Sequence, residues 1–156
     1  MSTQNPTGNE LTLVRVYGAP RERVFQAWTD CALLAQWFGP RTFTVPTCES
    51  DPRPGGVLQL AMRGPDGTLY PMRGIWTEVV APERTVTDTG AFEDEAGQPQ
   101  LKVITTTTFE EVGGMTRVTM HAQVTRSTGP ATGAVMGMEQ GWSESLYKLG
   151  DLLDKL

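Results

Sequence analysis

Length, composition and charge place the chain among single globular domains. It has 156 residues and a formal net charge of -5, with 38% hydrophobic and 20% charged residues. This composition excludes a disordered chain, and the length suits about one domain. The acidic balance disfavours a nucleic-acid partner, whose phosphates attract basic surfaces. No apolar run approaches the ~18 residues of a membrane-spanning helix, so membrane insertion is not expected.

The first ten residues carry neither the basic region nor the apolar region of a signal peptide. We therefore expect residues 1–10 to be frayed or disordered. We expect residues 11–156 to form one domain, and the protein to be soluble and cytoplasmic.

A strand and two short helices are predicted first along the chain. Apolar alternation predicts a strand over Leu11–Tyr17, and Pro20 suits the first turn of a helix. Asp30 is placed to cap a second helix that runs to Trp37.

The segment from Thr42 to Val124 predicts an antiparallel meander. Gly, Pro and Asp clusters interrupt it about every 10 to 20 residues, and the stretches between them are rich in β-branched residues. About six strands fit this spacing. No helical segment separates them, so a parallel sheet is not expected.

Apolar residues recur at helical intervals near the C-terminus and predict an amphipathic helix of about 20 residues, or about 30 Å. Gly133, Gly137 and Gly141 recur every four residues along it. Three interpretations stay open: close backbone approach, space left at one end of the helix, or a loop before a helix that begins near Met138. The fold class is α+β with the order β-α-α-β(about six)-α, in which a curved sheet wraps the C-terminal helix.

A hairpin at Gly113-Gly114 fixes which side chains face inward. Both glycines accept positive φ, so they suit a two-residue loop. The inner face then carries pairs that are apolar or contain threonine: Phe109 with Val118, Thr107 with Met120, Thr105 with Ala122, and Val103 with Val124. Small hydroxyl side chains there leave room for a ligand. The alternative is that a large side chain of the C-terminal helix, Trp142 or Met138, fills this room. The only histidine, His121, faces outward.

Two registers are open for the strand that contains Arg73. With a two-residue loop at Pro65-Asp66, Arg73 faces inward and would anchor a ligand carboxylate. If the neighbouring glycines permit a bulge, the faces exchange and Tyr70, Met72 and Trp76 point inward.

Metal, cofactor and catalytic motifs are missing from the sequence. One histidine excludes a His-rich metal site, and no nucleotide-binding or hydrolase motif is present. Cys31 and Cys48 are interpreted as two reduced thiols of a cytosolic protein; one disulfide is the alternative. We expect no cofactor, no metal and no catalytic residue.

Several segments resemble single-domain bacterial relatives of the 90-kDa heat-shock-protein ATPase activator. They are Val24–Asp30 with Trp37–Pro40, Gly55-Gly56, Gly64–Gly67 with Tyr70-Pro71, Pro82–Arg84, Phe109–Arg117 and Gly137–Trp142. The resemblance implies a helix-grip fold of the START-like (SRPBCC) superfamily, with about six or seven strands around a cavity. Members of that superfamily bind lipids, sterols and polyketides, and a few are cyclases or hydrolases.

The resemblance and the residue patterns together predict a protein that binds an apolar small molecule between the sheet and the C-terminal helix, and enzyme activity is not the leading expectation. The alternatives are a co-chaperone or other protein-interaction module, and a cyclase or hydrolase. Eukaryotic activators carry a further N-terminal domain, so a chaperone partner is not expected here; a homodimer stays open. The candidate ligand-contacting residues are Trp28, Trp37, Phe38, Phe43, Met62, Met72, Arg73, Trp76, Thr105, Thr107, Met120, Met138 and Trp142.

Overall fold

A curved antiparallel sheet with helices packed on its concave face forms the domain. The computed structural model describes the backbone of residues 3–4 and the whole of residues 10–156. The strands are β1 (Thr3–Gln4), β2 (Glu10–Tyr17), β3 (Thr44–Ser50), β4 (Val57–Arg63), β5 (Leu69–Val80), β6 (Arg84–Glu93), β7 (Pro99–Val112) and β8 (Met115–Ser127). The helices are α1 (Arg21–Thr29), α2 (Cys31–Trp37), α3 (Ala131–Met136) and α4 (Met138–Leu153).

The sheet order is β1-β2-β8-β7-β6-β5-β4-β3, and each neighbouring pair is antiparallel. The α+β helix-grip prediction is confirmed, since the meander and the C-terminal helices occur in the predicted order. The two-residue β1 adds an eighth strand by pairing with Thr12 and Leu11. Apart from β1 and Glu10, the predicted frayed segment lies outside the described residues.

The two short helices end where the sequence predicts. The Asp30 carboxylate accepts a hydrogen bond from the Ala32 backbone N–H at 3.0 Å, which caps α2. The indole Nε1 of Trp37 donates to the Ala27 carbonyl at 2.9 Å, so the last residue of α2 is tied to α1. These bonds fix the two helices against each other at one end of the sheet.

The β7–β8 hairpin has the predicted register. Gly113 and Gly114 take φ of 60° and 80° in the loop. Phe109 pairs with Val118, and the pairing continues to Val103 and Val124 with every inner pair as predicted. The side chain of His121 lies on the outer face, where its Nε2 is 2.8 Å from Glu10 Oε1.

The β4–β5 hairpin follows the bulged alternative, so the register that placed Arg73 inside is wrong. Gly67 takes a φ of 87°, and the Gly64 N–H donates to the Thr68 carbonyl at 2.9 Å, which leaves a three-residue loop. Met62 therefore pairs with Tyr70. This shift by one residue turns Trp76 into the core and Arg73 towards solvent.

The predicted C-terminal helix is divided into two. α3 ends at Met136 and the 16-residue α4 begins at Met138, so the long helix spans about 24 Å. Gly137 lies at the break, with φ and ψ of -93° and 4°. A Cβ at Gly141 would lie 3.6 Å from the Pro40 ring. Gly141 therefore supports close packing and Gly137 marks the break, whereas Gly133 lies within α3, where a Cβ would meet nothing within 4 Å.

α4 is held across the concave face by apolar contacts and by one buried hydroxyl. Leu146, Leu149 and Leu153 are buried against the sheet and the helices. The Tyr17 hydroxyl donates to the Leu146 carbonyl at 2.8 Å. Burial raises the pKa of Tyr17 well above its ordinary value, so this hydroxyl keeps its proton and its hydrogen bond at physiological pH.

Cys31 and Cys48 form a disulfide, contrary to the interpretation as reduced thiols. The bond joins the first residue of α2 to the edge strand β3. Sequence spacing could not reveal this, because the two residues come together only when β3 folds back beside α2. The disulfide encloses the segment that contains Phe38 and Phe43.

We expect the double variant Cys31→Ser/Cys48→Ser to lose about 3 kcal/mol of unfolding free energy, because a cross-link between residues 17 apart restricts the unfolded chain. Urea unfolding measures this loss in three samples: the oxidised protein, the same protein reduced with dithiothreitol, and the double variant. The double variant should be insensitive to the reductant. Equal midpoints for all three samples would contradict the prediction.

Candidate ligand-binding site

The concave face is closed at one end and partly open at the other. Trp37, Trp76 and Met120 are almost fully buried at the closed end. At the other end the inward-facing side chains are only half-buried, and we call this set the rim. The rim consists of Phe38, Phe43, Met62, Tyr70, Met72, Phe92, Met138 and Trp142.

Stacked aromatic rings connect the rim to the helices. The Trp142 ring of α4 lies parallel to the Trp28 ring of α1, with centroids 6.0 Å apart. Trp28 contacts Trp37 at 4.8 Å, and Phe38 meets Trp142 edge-on at 5.6 Å. Trp142 is therefore both a packing residue and a wall of the rim.

A second chain of rings follows the strands on the opposite side of the rim. Tyr70 lies between Phe43 and Phe92, with centroid distances of 5.8 Å and 6.3 Å. Gly39 lies close to Met62, because a Cβ at this residue would lie 2.9 Å from Met62 Sδ. The rim thus combines two groups of aromatic rings with two methionines from β4 and β5.

The segment between α2 and β3 is fastened to α4 by polar contacts. The Arg41 backbone N–H donates to Glu144 at 2.9 Å, and Lys148 Nζ donates to the Pro40 carbonyl at 3.1 Å. The hydrogen bond from Arg41 lowers the pKa of Glu144, and burial lowers the pKa of Lys148. The Arg41 guanidinium also lies 4.8 Å from the Tyr147 ring centroid. These contacts hold Phe38 and Phe43 in place at the rim.

Two columns of threonine side chains lie side by side on the concave face, on β6 and β7. Thr85 pairs with Thr107, Thr87 pairs with Thr105, and Thr89 continues the β6 column. All are buried, and we call them the threonine patch. The sequence predicted Thr105 and Thr107, and placed Tyr70 inward in the bulged register, but the β6 column and Phe92 were missed. The alternation Thr85-Val86-Thr87-Asp88-Thr89 was the signal that could have found that column.

One hydroxyl of the threonine patch has no hydrogen-bond partner. Thr107 Oγ1 is fully buried and bonds to no other group in the described part of the chain. A buried hydroxyl of this kind keeps one donor and two acceptor positions for another molecule. The other buried side chains with hydroxyls among residues 10–156 are threonines, one serine and Tyr17, and the Tyr17 hydroxyl donates to the Leu146 carbonyl.

The structure brings most of the candidate residues together. Trp28, Trp37, Trp76, Met120, Thr105 and Thr107 form the closed interior, and Phe38, Phe43, Met62, Met72, Met138 and Trp142 belong to the rim. Trp76 is also tied to β3, since its Nε1 donates to Ser50 Oγ at 3.1 Å. Arg73 is separate: its side chain is 67% exposed on the outer face and lies 3.4 Å from Glu93.

Two surface depressions differ from the rim, although Met72 of the rim also lines the first of them. One, of about 370 Å³, is on the outer face and is lined by Thr47, Gln59 and Arg73 among others. The other, of about 530 Å³, lies beside Arg21 at the start of α1. Within the described ranges, no group of three or more His, Cys, Asp or Glu side chains is arranged to hold a metal ion. No described helix has the length and apolar character needed to cross a bilayer.

The fold is shared with a known protein family. The family described as Activator of Hsp90 ATPase homolog 1-like protein matches residues 18–154. The chain belongs to this family. The match extends from the end of β2 to the end of α4, so it includes every helix and all the rim residues. No curated protein matches the chain.

Solved structures of bacterial proteins share the fold over nearly the whole chain. A protein from Arthrobacter aurescens is 27% identical, with a TM-score of 0.86 over 100% of this chain and 92% of that chain. A protein from Chromobacterium violaceum is 29% identical, with a TM-score of 0.79 over 93% of this chain and 96% of that chain. The AHSA1 protein from Silicibacter pomeroyi is 26% identical, with a TM-score of 0.78 over 93% of this chain and 97% of that chain.

We expect Thr107→Val to leave the protein folded and to raise its unfolding free energy by about 1 kcal/mol, because it replaces an unpartnered buried hydroxyl with a methyl group of similar size. Thr106→Val, on the outer face of the same strand, is the matched control and should change stability by less than about 0.5 kcal/mol. Urea unfolding measures both variants. A loss of more than about 1 kcal/mol in Thr107→Val would show that the hydroxyl does have a partner.

Proposed function

We propose that this protein binds an apolar or amphipathic small molecule, of lipid, polyketide or aromatic type, between the concave face of the sheet and α4. The ligand enters at the rim. The observation that carries the proposal is the half-buried aromatic and methionine surface of the rim, which continues inward to the threonine patch. Sites for such ligands are largely apolar and contain a few placed polar groups.

The composition of the rim suits a ligand that is held by shape and ring contacts. Trp142 and Phe38 present ring faces and edges on the helix side, and Tyr70 presents a ring on the strand side. Met62 and Met72 have flexible side chains that adapt to irregular ligands. Because these residues come from α2, α4, β4 and β5, a bound molecule would contact both layers of the fold.

The two other candidate functions have less support. A cyclase or hydrolase needs an ionisable group beside its substrate, whereas the polar side chains of the threonine patch do not ionise. Activation of a chaperone ATPase rests on the description of the family alone. A pull-down from lysate that recovers a chaperone, followed by stimulation of its ATPase, would favour that function instead.

Diphenylhexatriene, a hydrocarbon that fluoresces in apolar surroundings, provides the binding test. We expect it to bind the wild-type protein, and we expect Thr105→Phe to weaken binding by about tenfold or more, since the larger ring would occupy the position on the concave face that the proposal assigns to the ligand. Thr106→Phe, which points to the outer face, should bind like the wild type. Native mass spectrometry of the purified protein reports copurified ligand and subunit number in the same measurement.

Lack of diphenylhexatriene binding, or equal binding by the two phenylalanine variants, would contradict the proposed site. Thermal unfolding of both variants confirms that each is folded before the comparison. A homodimer remains a prediction, and the subunit number decides it.

A cytoplasmic location is a further part of the proposal, and the disulfide provides its test. Thiols of cytosolic proteins are kept reduced in most organisms, whereas Cys31 and Cys48 are bonded in the structure. If the bond persists in the cell, a maleimide added during lysis should label the protein only after reduction. Labelling without reduction would show free thiols, as the cytoplasmic location predicts.

A further inference from the structure

We propose that the ligand is uncharged and directs one hydrogen-bonding group, a hydroxyl or a carbonyl, at Thr107, while its apolar body extends to the rim. This inference rests on the proposed function and specifies the chemical class of the ligand. It makes Thr107 a specificity-determining residue at the deep end of the site.

The threonine patch leads from the closed end of the concave face towards the rim. Thr85 and Thr107, which pair with each other, are 1% and 0% exposed, whereas Thr87 and Thr105, the next pair, are 8% and 9% exposed. Successive pairs on one face are about 6.8 Å apart along a strand. A ligand that enters at the rim therefore meets Thr89, Thr87 and Thr105 before it reaches Thr107.

The hydroxyls of the patch differ in what they offer to a ligand. Thr89 Oγ1 lies 3.5 Å from the Val103 carbonyl, within its own sheet. Thr107 Oγ1 has no such bond and is completely shielded from solvent. A buried polar group without a partner is unfavourable. A ligand hydroxyl or carbonyl at this position would satisfy it, whereas a pure hydrocarbon would leave it unsatisfied.

The charges around the concave face disfavour an ionised ligand group. A buried carboxylate needs a cationic partner to offset its lost hydration. Arg73 lies on the outer face, beside Glu93. Arg15 belongs to β2, which β8 separates from β7, and its guanidinium donates to the Val14 carbonyl and to Ser143 of α4. Arg21, whose Nε is also buried without a partner, lies with Glu110 beside a separate depression at the start of α1. Lys148 of α4 donates to the Pro40 carbonyl. Each of these four cations is thus placed away from Thr107 or engaged with another group.

Displacement of diphenylhexatriene by decan-1-ol and by decanoate at pH 7.5 tests the inference. The two probes have the same chain length and differ in the charge of the head group. We expect decan-1-ol to displace the dye, and decanoate to bind at least about tenfold more weakly. Thr107→Val should weaken the binding of decan-1-ol about three- to tenfold, which is the effect of one neutral hydrogen bond. The same variant should change the affinity for the hydrocarbon dye less than twofold.

Two further variants separate a hydroxyl effect from a packing effect. Thr107→Ser keeps the hydroxyl and should bind decan-1-ol like the wild type, although it lacks the methyl group. Thr106→Val removes a hydroxyl from the outer face and should change neither affinity.

The outcomes distinguish this inference from the proposed function. If the dye binds but decanoate competes as well as decan-1-ol, or Thr107→Val leaves the alcohol affinity unchanged, the inference is overturned and the apolar site stands. If neither the dye nor either decyl probe binds the wild-type protein, the proposed function fails and the inference fails with it.

Discussion

The packing of α4 across the concave face of the sheet is the constraint on which the rest of the structure depends. Leu146, Leu149 and Leu153 bury one side of the helix, and the Tyr17 hydroxyl bonds to its backbone. A sheet with one apolar face is stable only when another layer covers that face. Because α4 covers the closed end more fully than the rim, the same helix both completes the core and bounds the site.

The core and the candidate site use the same strands for different purposes. Towards the closed end, β7 and β8 supply Phe109, Val118 and Met120, which fill the interior. On β6 and β7, threonines take the place of larger apolar residues. Threonine is β-branched and suits a strand, so it adds hydroxyls to the concave face without weakening the preference for β structure. This is how the site acquires polar groups within a regular sheet.

The fold was largely predictable from sequence, whereas the site was only partly so. The Gly113-Gly114 loop set the β7–β8 register correctly because a two-residue loop has few geometries. At the β4–β5 turn, one extra loop residue exchanged the two faces and moved Arg73 outside. The alternation on β6 puts Thr85, Thr87 and Thr89 on one face, but Val86 and Asp88 on the other face do not show which of the two is buried. The inward direction of these threonines follows only from pairing with β7.

The sequence by itself determined the element order, the two short helices with the Asp30 cap between them, the outer position of His121 and most of the aromatic residues near the site. These features depend on local spacing and turn chemistry, which act over a few residues. Tertiary structure decided which face of β5 is buried, where the C-terminal helix breaks, and that Cys31 meets Cys48. It also placed an unpartnered Thr107 hydroxyl beside the β6 threonines. Each of these depends on residues distant in the chain that become neighbours only when the sheet curves around α4.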